Sequence, residues 1–301
     1  MRTPVKAHLS VFLANLIFSV NFSVVKFITP VFIKPFGLNV IRVLVTSSLL
    51  WIGFLISSPE KKLEKKHMGR LILCAITGVT INQLLFIKGL SITYSTHASL
   101  LMLCTPVLIT AIAFFMLRER INFFRILGLI LGITGATLLI FTGERTGSGK
   151  DILFGDTLIM LNAISYSFYF VLAKPLLQVY TPVQIQRWVF TIGGILILPF
   201  GWNEFIAVDW NALQFKHWGA LAFVVLGATY IAYLLNAYAL QHLKASATGS
   251  YMYTQPFFAG LVAYFFLDEP FPPIKFVAAL LIMAGVFLVN KKTTKPIGIR
   301  I

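Results

Sequence analysis

Charge is what this sequence has least of. Only 12% of its 301 residues are Asp, Glu, Lys or Arg, against about 25% in soluble domains. Such a chain lacks the polar surface to cover itself in water. With 58% apolar residues and a mean hydropathy of +0.85, its solvent is lipid. Carboxylates are scarcer still: there are ten, and all fall in loops or at helix ends, so a proton relay through a membrane-centre Asp or Glu has no candidate and the coupling mode stays open. The two cysteines, Cys74 and Cys104, have no histidine partners at ligand spacing and read as small core residues. No His-Glu-x-x-His motif, aspartate pair or Ser-His pair stands at membrane depth, because His97, His217 and His242 lie near helix ends without acidic neighbours. Neither a catalytic residue nor a metal or cofactor is expected, and an intramembrane enzyme is the weaker alternative. A membrane scaffold that transports nothing is the other.

Long apolar runs are what the chain has instead. A bilayer core about 30 Å thick takes roughly 20 apolar residues at a rise of 1.5 Å each. Runs of that kind fall at 8–29, 38–57, 71–90, 97–117, 126–142, 155–173, 183–202, 218–239, 246–267 and 274–290. The expected fold class is therefore an all-α integral membrane protein of ten spans. The first run follows a short basic segment, Met1 to Lys6, but it is long for a signal peptide and no small-x-small site follows it, so it reads as a retained helix.

The net charge of +15 raises the question of nucleic acid, and position answers it. With the N-terminus inside, seventeen Lys and Arg residues collect on the inner side and five on the outer. That is the positive-inside bias of a membrane protein, and no nucleic-acid partner is expected. Three basic residues lie within spans. Lys26 and Arg42 read as side chains that snorkel from span ends, and Lys88 either snorkels or neutralises an anionic substrate. Five tryptophans near span ends read as interface anchors.

The chain also repeats itself. An offset of 150 lays Leu90 on Leu240, Pro106 on Pro256, Leu117-Arg118-Glu119 on Leu267-Asp268-Glu269 and Gly135 on Gly285; an offset of 148 lays Ser19-Val20-Asn21-Phe22 on Ser167-Phe168-Tyr169-Phe170 and Lys26 on Lys174. A polar linker from Thr142 to Asp151 separates the copies, 8–142 and 155–290. Its Gly147-Ser148-Gly149-Lys150 lacks the spacing of a phosphate loop. Five spans per copy is an odd number, so the second copy must enter the membrane inverted. Charge agrees: Arg118, Arg120 and Arg125 follow span four, whereas Asp268-Glu269-Pro270 follows span nine.

In these residues the chain resembles the EamA family of the drug/metabolite transporter superfamily. The likeness runs through Asn21-Phe22 with Lys26, Gly89-Leu90, Ala98-Ser99, Thr105-Pro106-Val107 and Arg118-Glu119-Arg120, and again through Ala239-Leu240, Ala247-Thr248, Gln255-Pro256-Phe257 and Asp268-Glu269-Pro270. Phe18-Ser19-Val20 stands where the family has Trp-Gly before the asparagine. The resemblance implies ten helices in the cell (inner) membrane, both termini cytoplasmic, a cavity between the halves, and export or exchange of small metabolites or amino acids. The partners expected are a small-molecule substrate and membrane lipid, with the chain a monomer.

Polar residues within spans gather on helices one, three, four, six, eight and nine. The candidates for substrate binding are Asn21, Gln83, Thr105, Tyr166, Tyr169, Tyr230, Tyr233, Asn236 and Gln255. Asn162, Tyr166 and Tyr169 share a face at i, i+4 and i+7; Tyr230, Tyr233 and Asn236 share one more loosely. Spans two, seven and ten, poor in such groups, read as lipid-facing. Pro106 and Pro256 are gating candidates, since proline frees a backbone carbonyl that lipid cannot satisfy. Gly128, Gly132, Gly135 and Ala136, echoed by Ala278, Ala284 and Gly285, read as a close helix-packing ladder.

Overall fold

The computed structural model describes residues 3–56, 61–93, 98, 101–119, 121–141, 152–255, 257–258 and 273–290. Pro256, His97, the linker 142–151 and Asp268-Glu269 lie outside the described residues. Within them every regular element is helical: α1 (Thr3–Ile28), α2 (Pro35–Ile56), α3 (Lys65–Ile92), α4 (Cys104–Leu117), α5 (Phe123–Phe141), α6 (Ile152–Leu176), α7 (Pro182–Ile206), α8 (Phe215–His242), α9 (Ala245–Gly249, continued by a 3-10 turn Ser250–Thr254) and α10 (Pro273–Asn290). Six of these, α1, α2, α3, α6, α7 and α8, are long and apolar enough to cross a membrane. Exposed Phe115, Leu153, Phe215 and Leu280 belong to an apolar outer surface that suits lipid.

Sequence sets the ends of these helices. Pro35, Pro182 and Pro273 occupy first helical positions, where the missing N–H has no intrahelical role. Thr181 adds an N-cap, its hydroxyl accepting the Gln184 N–H at 3.2 Å. Glu204, at the end of α7, accepts the N–H groups of Phe36 and Gly37 at 2.7 and 3.0 Å and so caps the start of α2. Arg118 ends α4 in the left-handed region at φ 52°. Glu119 then accepts from the Ala245 N–H (2.9 Å), the Ser246 hydroxyl (2.5 Å) and Arg125 (3.4 Å), tying the end of α4 to the start of α9.

Packing follows a pattern. α5 lies on α10, α2 on α7, α1 on α8 and α3 on α6. Exchanging each helix for the one five places along maps these pairs onto one another. The α5–α10 contact is close: a Cβ on Gly128 would stand 2.6 Å from the Gly285 carbonyl, and one on Gly135 2.7 Å from that of Ala278. The small-residue ladder is thus a helix interface.

Both α3 and α8 widen into π-helix, at Ile76–Thr80 and Phe223–Ile231, with Ile81 N–H bonded to the Ile76 carbonyl and Ala232 N–H to that of Gly227. In each helix a threonine at the widened segment bonds back along the chain. Thr80 reaches the Ala75 carbonyl at 3.4 Å and Thr229 that of Val224 at 2.7 Å. The lysines matched by the offset also act alike. Lys26 donates to the Thr93 carbonyl at the end of α3, and Lys174 to the Leu240, Gln241 and Leu243 carbonyls at the end of α8. Both are therefore bound to helix ends, where snorkelling toward the interface was expected. Of the cysteines, Cys74 is buried and Cys104 is exposed.

Candidate functional site: a polar cavity between two apolar clusters

The buried apolar side chains fall mainly into two clusters. One includes Leu71, Cys74, Leu176, Tyr180 and Ala245, at the start of α3, the end of α6 and the start of α9. The other includes Ile28, Ile33, Leu38, Val208 and Leu213, where α1 meets α2 and α7 leads to α8. Between them a cavity is lined by Phe18, Asn21 and Phe22 of α1, Arg42 of α2, Asn82, Gln83 and Phe86 of α3, Met102 before α4, Asn162 and Tyr166 of α6, Tyr233 of α8, and Met252 and Gln255 at the end of α9. Its walls thus come from both halves of the sequence.

Five of the nine residues picked from sequence line this space: Asn21, Gln83, Tyr166, Tyr233 and Gln255. Four do not. Asn236 stands one layer back, its amide donating to the Tyr166 hydroxyl at 2.9 Å. Tyr169 turns away and stacks on Tyr166 with ring centroids 5.8 Å apart. Its ring lies over Gly78, where a Cβ would come within 2.3 Å, and its hydroxyl accepts from Gln186 at 2.8 Å. Tyr230, inside the π segment of α8, packs at the edge of the first apolar cluster, and Thr105 is buried in α4 beside Ser167, whose hydroxyl donates to the Thr105 carbonyl at 3.4 Å. Pro106 lies in the first turn of α4 rather than mid-helix, and its carbonyl accepts from Thr110 at 2.8 Å.

A polar network holds the lining in place. Asn162 donates to the Asn82 carbonyl at 2.7 Å, Tyr233 to the Asn82 side-chain oxygen at 3.1 Å, and Gln255 to Asn15 at 2.8 Å. Some capacity is left over: the side-chain oxygens of Asn21 and Asn162 and both polar atoms of Gln83 are buried without a hydrogen-bond partner. Burying such groups unpaired costs about 1–3 kcal/mol each, so their natural complement is a polar ligand. Phe22 and Phe86 meet edge to face at 5.4 Å, and Phe18 meets Tyr233 at 6.0 Å, so the remaining wall is aromatic.

Sequence reasoning passed over the lining residue of greatest electrostatic weight. Arg42 does not snorkel from α2; it is 4% exposed and faces the cavity, whereas Lys88 is not among the lining residues. Nor is α2 simply lipid-facing, since Asn39, Arg42 and Thr46 are buried along it. Arg187, counted among the inner loop charges, lies within α7, 3% exposed, its guanidinium 3.8 Å from the Phe54 ring centroid and 4.6 Å from that of Trp51.

The sequence profile of the EamA-like transporter family matches this chain twice, at residues 5–141 and 153–291. The chain belongs to the EamA-like transporter family. Named relatives agree. A protein called "Uncharacterized transporter YetK" from Bacillus subtilis (strain 168) is 26% identical over 249 residues, 82% of this chain and 76% of that one. An "Uncharacterized transporter" of Archaeoglobus fulgidus is 25% identical over 287 residues, 95% and 98% of the two chains. A "Probable terminal-alkyne amino-acid exporter" of Streptantibioticus cattleyicolor is 25% identical over 259 residues, 85% and 84%. A solved structure titled only "Crystal structure of protein" has the same fold, with a TM-score of 0.74 at 16% identity over 95% of this chain and 96% of that one. The chain is thus a multi-pass membrane protein of a transporter family.

Proposed function

We propose that this member is a secondary transporter that exports small metabolites such as amino acids, by alternating access around the central cavity. The observation that carries the reading is the cavity's position, a polar and aromatic chamber between two apolar clusters that draws its walls from both halves of the chain. The relative named as a probable amino-acid exporter supports that direction and class.

In this reading the chain crosses the membrane ten times as two five-helix repeats, 8–142 and 155–290, the second inverted, with both termini cytoplasmic in the cell (inner) membrane and one chain sufficient. Matched pairs of helices, π segments and helix-end lysines support the repeat. Loosening one apolar cluster while the other stays packed would open the chamber to one side at a time. Flux into proteoliposomes tests the function. Saturable movement of one or more metabolites from a broad panel is expected, and none at all from folded protein would overturn it. Single engineered cysteines at residues 64 and 209 test the topology: labelling from opposite sides is expected, and labelling from one side refutes inversion.

A further inference from the structure

Arg42 is a cation in the wrong place for a purely structural residue. It is buried in α2, and among the described residues no carboxylate pairs with it. An uncompensated buried charge opposes folding, so its retention calls for a role. The groups it does meet are neutral and hold it in one orientation. Its Nε donates to the Thr229 hydroxyl at 2.8 Å, and its Nη1 to the Asn39 side-chain oxygen at 3.4 Å. Both partners are themselves anchored. Thr229 donates to the Val224 carbonyl within the π segment of α8, and the Asn39 amide donates to the Gln83 backbone carbonyl of α3 at 3.1 Å. A guanidinium has five N–H donors, and these two bonds use two of them, leaving donors for a ligand at the cavity wall.

The rest of the lining has no acidic residue: beside Arg42 it offers amides, tyrosine hydroxyls, aromatic rings and methionines. Among the described residues the chamber therefore holds one positive charge and none to balance it. We infer that the transported solute carries a carboxylate, which Arg42 anchors, and a compact apolar part that packs on Phe18, Phe22 and Phe86. The inference rests on the reading of the cavity as the solute site and narrows it to a class. Arg42 supplies the planar paired donors that match a carboxylate. Asn21 and Gln83, with unpaired buried polar atoms, complete the polar side of the site. Amines that lack a carboxylate, which would bring a second positive charge into the chamber and offer Arg42 nothing to hold, are excluded.

Equilibrium binding to the purified full-length chain in detergent tests this separately from flux. The probes are 3-phenylpropionate and 4-methylpentanoate with their primary amides, phenylalanine and leucine, and phenethylamine and isoamylamine. The carboxylates are expected to bind about 10- to 100-fold more tightly than the two neutral amides, the margin of a charge-assisted pair, and the amines not to bind. Arg42→Gln should remove that margin, and Arg42→Lys should restore part of it. The unliganded Arg42→Gln protein should unfold at the same temperature as the parent or higher, because an unbalanced buried charge has gone. Equal binding of amides and carboxylates, no binding of any carboxylate, or an undiminished margin in Arg42→Gln would each overturn the inference. A lower unfolding temperature for unliganded Arg42→Gln would overturn it too, by making the residue structural. Flux of amides as readily as carboxylates in proteoliposomes would leave a transporter without this selectivity. Carboxylate binding without flux would refute transport and leave the binding site standing.

Discussion

Lys174 offers the sharpest test of how the helix ends are held. The last carbonyls of a helix lack intrahelical partners and carry the negative end of its dipole. At the end of α8, Lys174 meets three such groups, with Nζ 2.7 Å from the Leu240 oxygen, 3.1 Å from that of Gln241 and 2.6 Å from that of Leu243. These use all three donors of the ammonium. Lys174→Met keeps the length of the side chain and removes the donors. Charge-assisted hydrogen bonds contribute about 1.5–3 kcal/mol each. Three bonds sharing one charge do not add in full, and on a half-buried residue water replaces part of the loss. The expected cost is therefore about 3 kcal/mol. Lys26, the residue matched by the offset, is exposed and makes one such bond, to the Thr93 carbonyl at 2.8 Å. Lys26→Met should cost about 0.5–1 kcal/mol. Thermal unfolding of both variants in detergent, with hydrogen exchange across residues 239–249, measures the difference. An unfolding temperature unchanged in Lys174→Met, or lowered as far in Lys26→Met, would refute the reasoning.

Other substitutions follow from the same geometry. Gly285→Val should drive the α5–α10 contact apart, since a Cβ there lies 2.7 Å from the Gly128 carbonyl; a loss of about 2–4 kcal/mol is expected, whereas Gly53→Ala, with nothing within 4 Å of its Cβ, should be neutral or slightly stabilising, and detergent melting curves compare them. Tyr169→Phe should lower stability by about 1 kcal/mol through the lost bond from Gln186, with solute affinity intact. Tyr233→Phe, at the cavity wall, should weaken solute binding severalfold; the reverse ranking in a binding assay would move the site. Glu119→Ala should cost about 2–3 kcal/mol by freeing the start of α9 and removing the ion pair with Arg125, seen as earlier melting and faster exchange at residues 245–249.

What could be read from sequence was what lipid imposes. A spanning helix needs an unbroken apolar run, so the six long apolar helices stood out, and close backbone approach needs small residues, so the ladder of Gly128, Gly132 and Gly135 was legible as a packing face while the helix it meets was not. Side-chain direction was harder. The shared face expected for Tyr230, Tyr233 and Asn236 assumes a regular α-helical turn, but Tyr230 lies in π-helix, where each residue advances the helix by a smaller angle. Three positions therefore fall short of a turn, and Tyr230 leaves the face. No α-helical wheel drawn through Phe223–Ile231 keeps its phase. Tyr169 does keep the predicted phase, and its ring is drawn aside by the notch that Gly78 leaves in α3.

Arg42 was missed for another reason. Depth along a span is legible in sequence, but the neighbour that awaits a side chain is not, and Thr229 stands 187 residues away. The offset itself held a clue. At 148 residues it lays Arg42 on Phe190, a buried residue whose ring meets Tyr233 edge to face at 5.2 Å. Under the proposed repeat the frame has matching parts: threonines at the π segments, lysines at the helix ends and helix pairs that exchange. The chemistry at the centre is not repeated. Two arginines related by that exchange would place two unbalanced cations around one chamber, a repulsion that only a divalent anion could relieve. With one arginine the chamber carries a single charge, and a solute with a single carboxylate neutralises it.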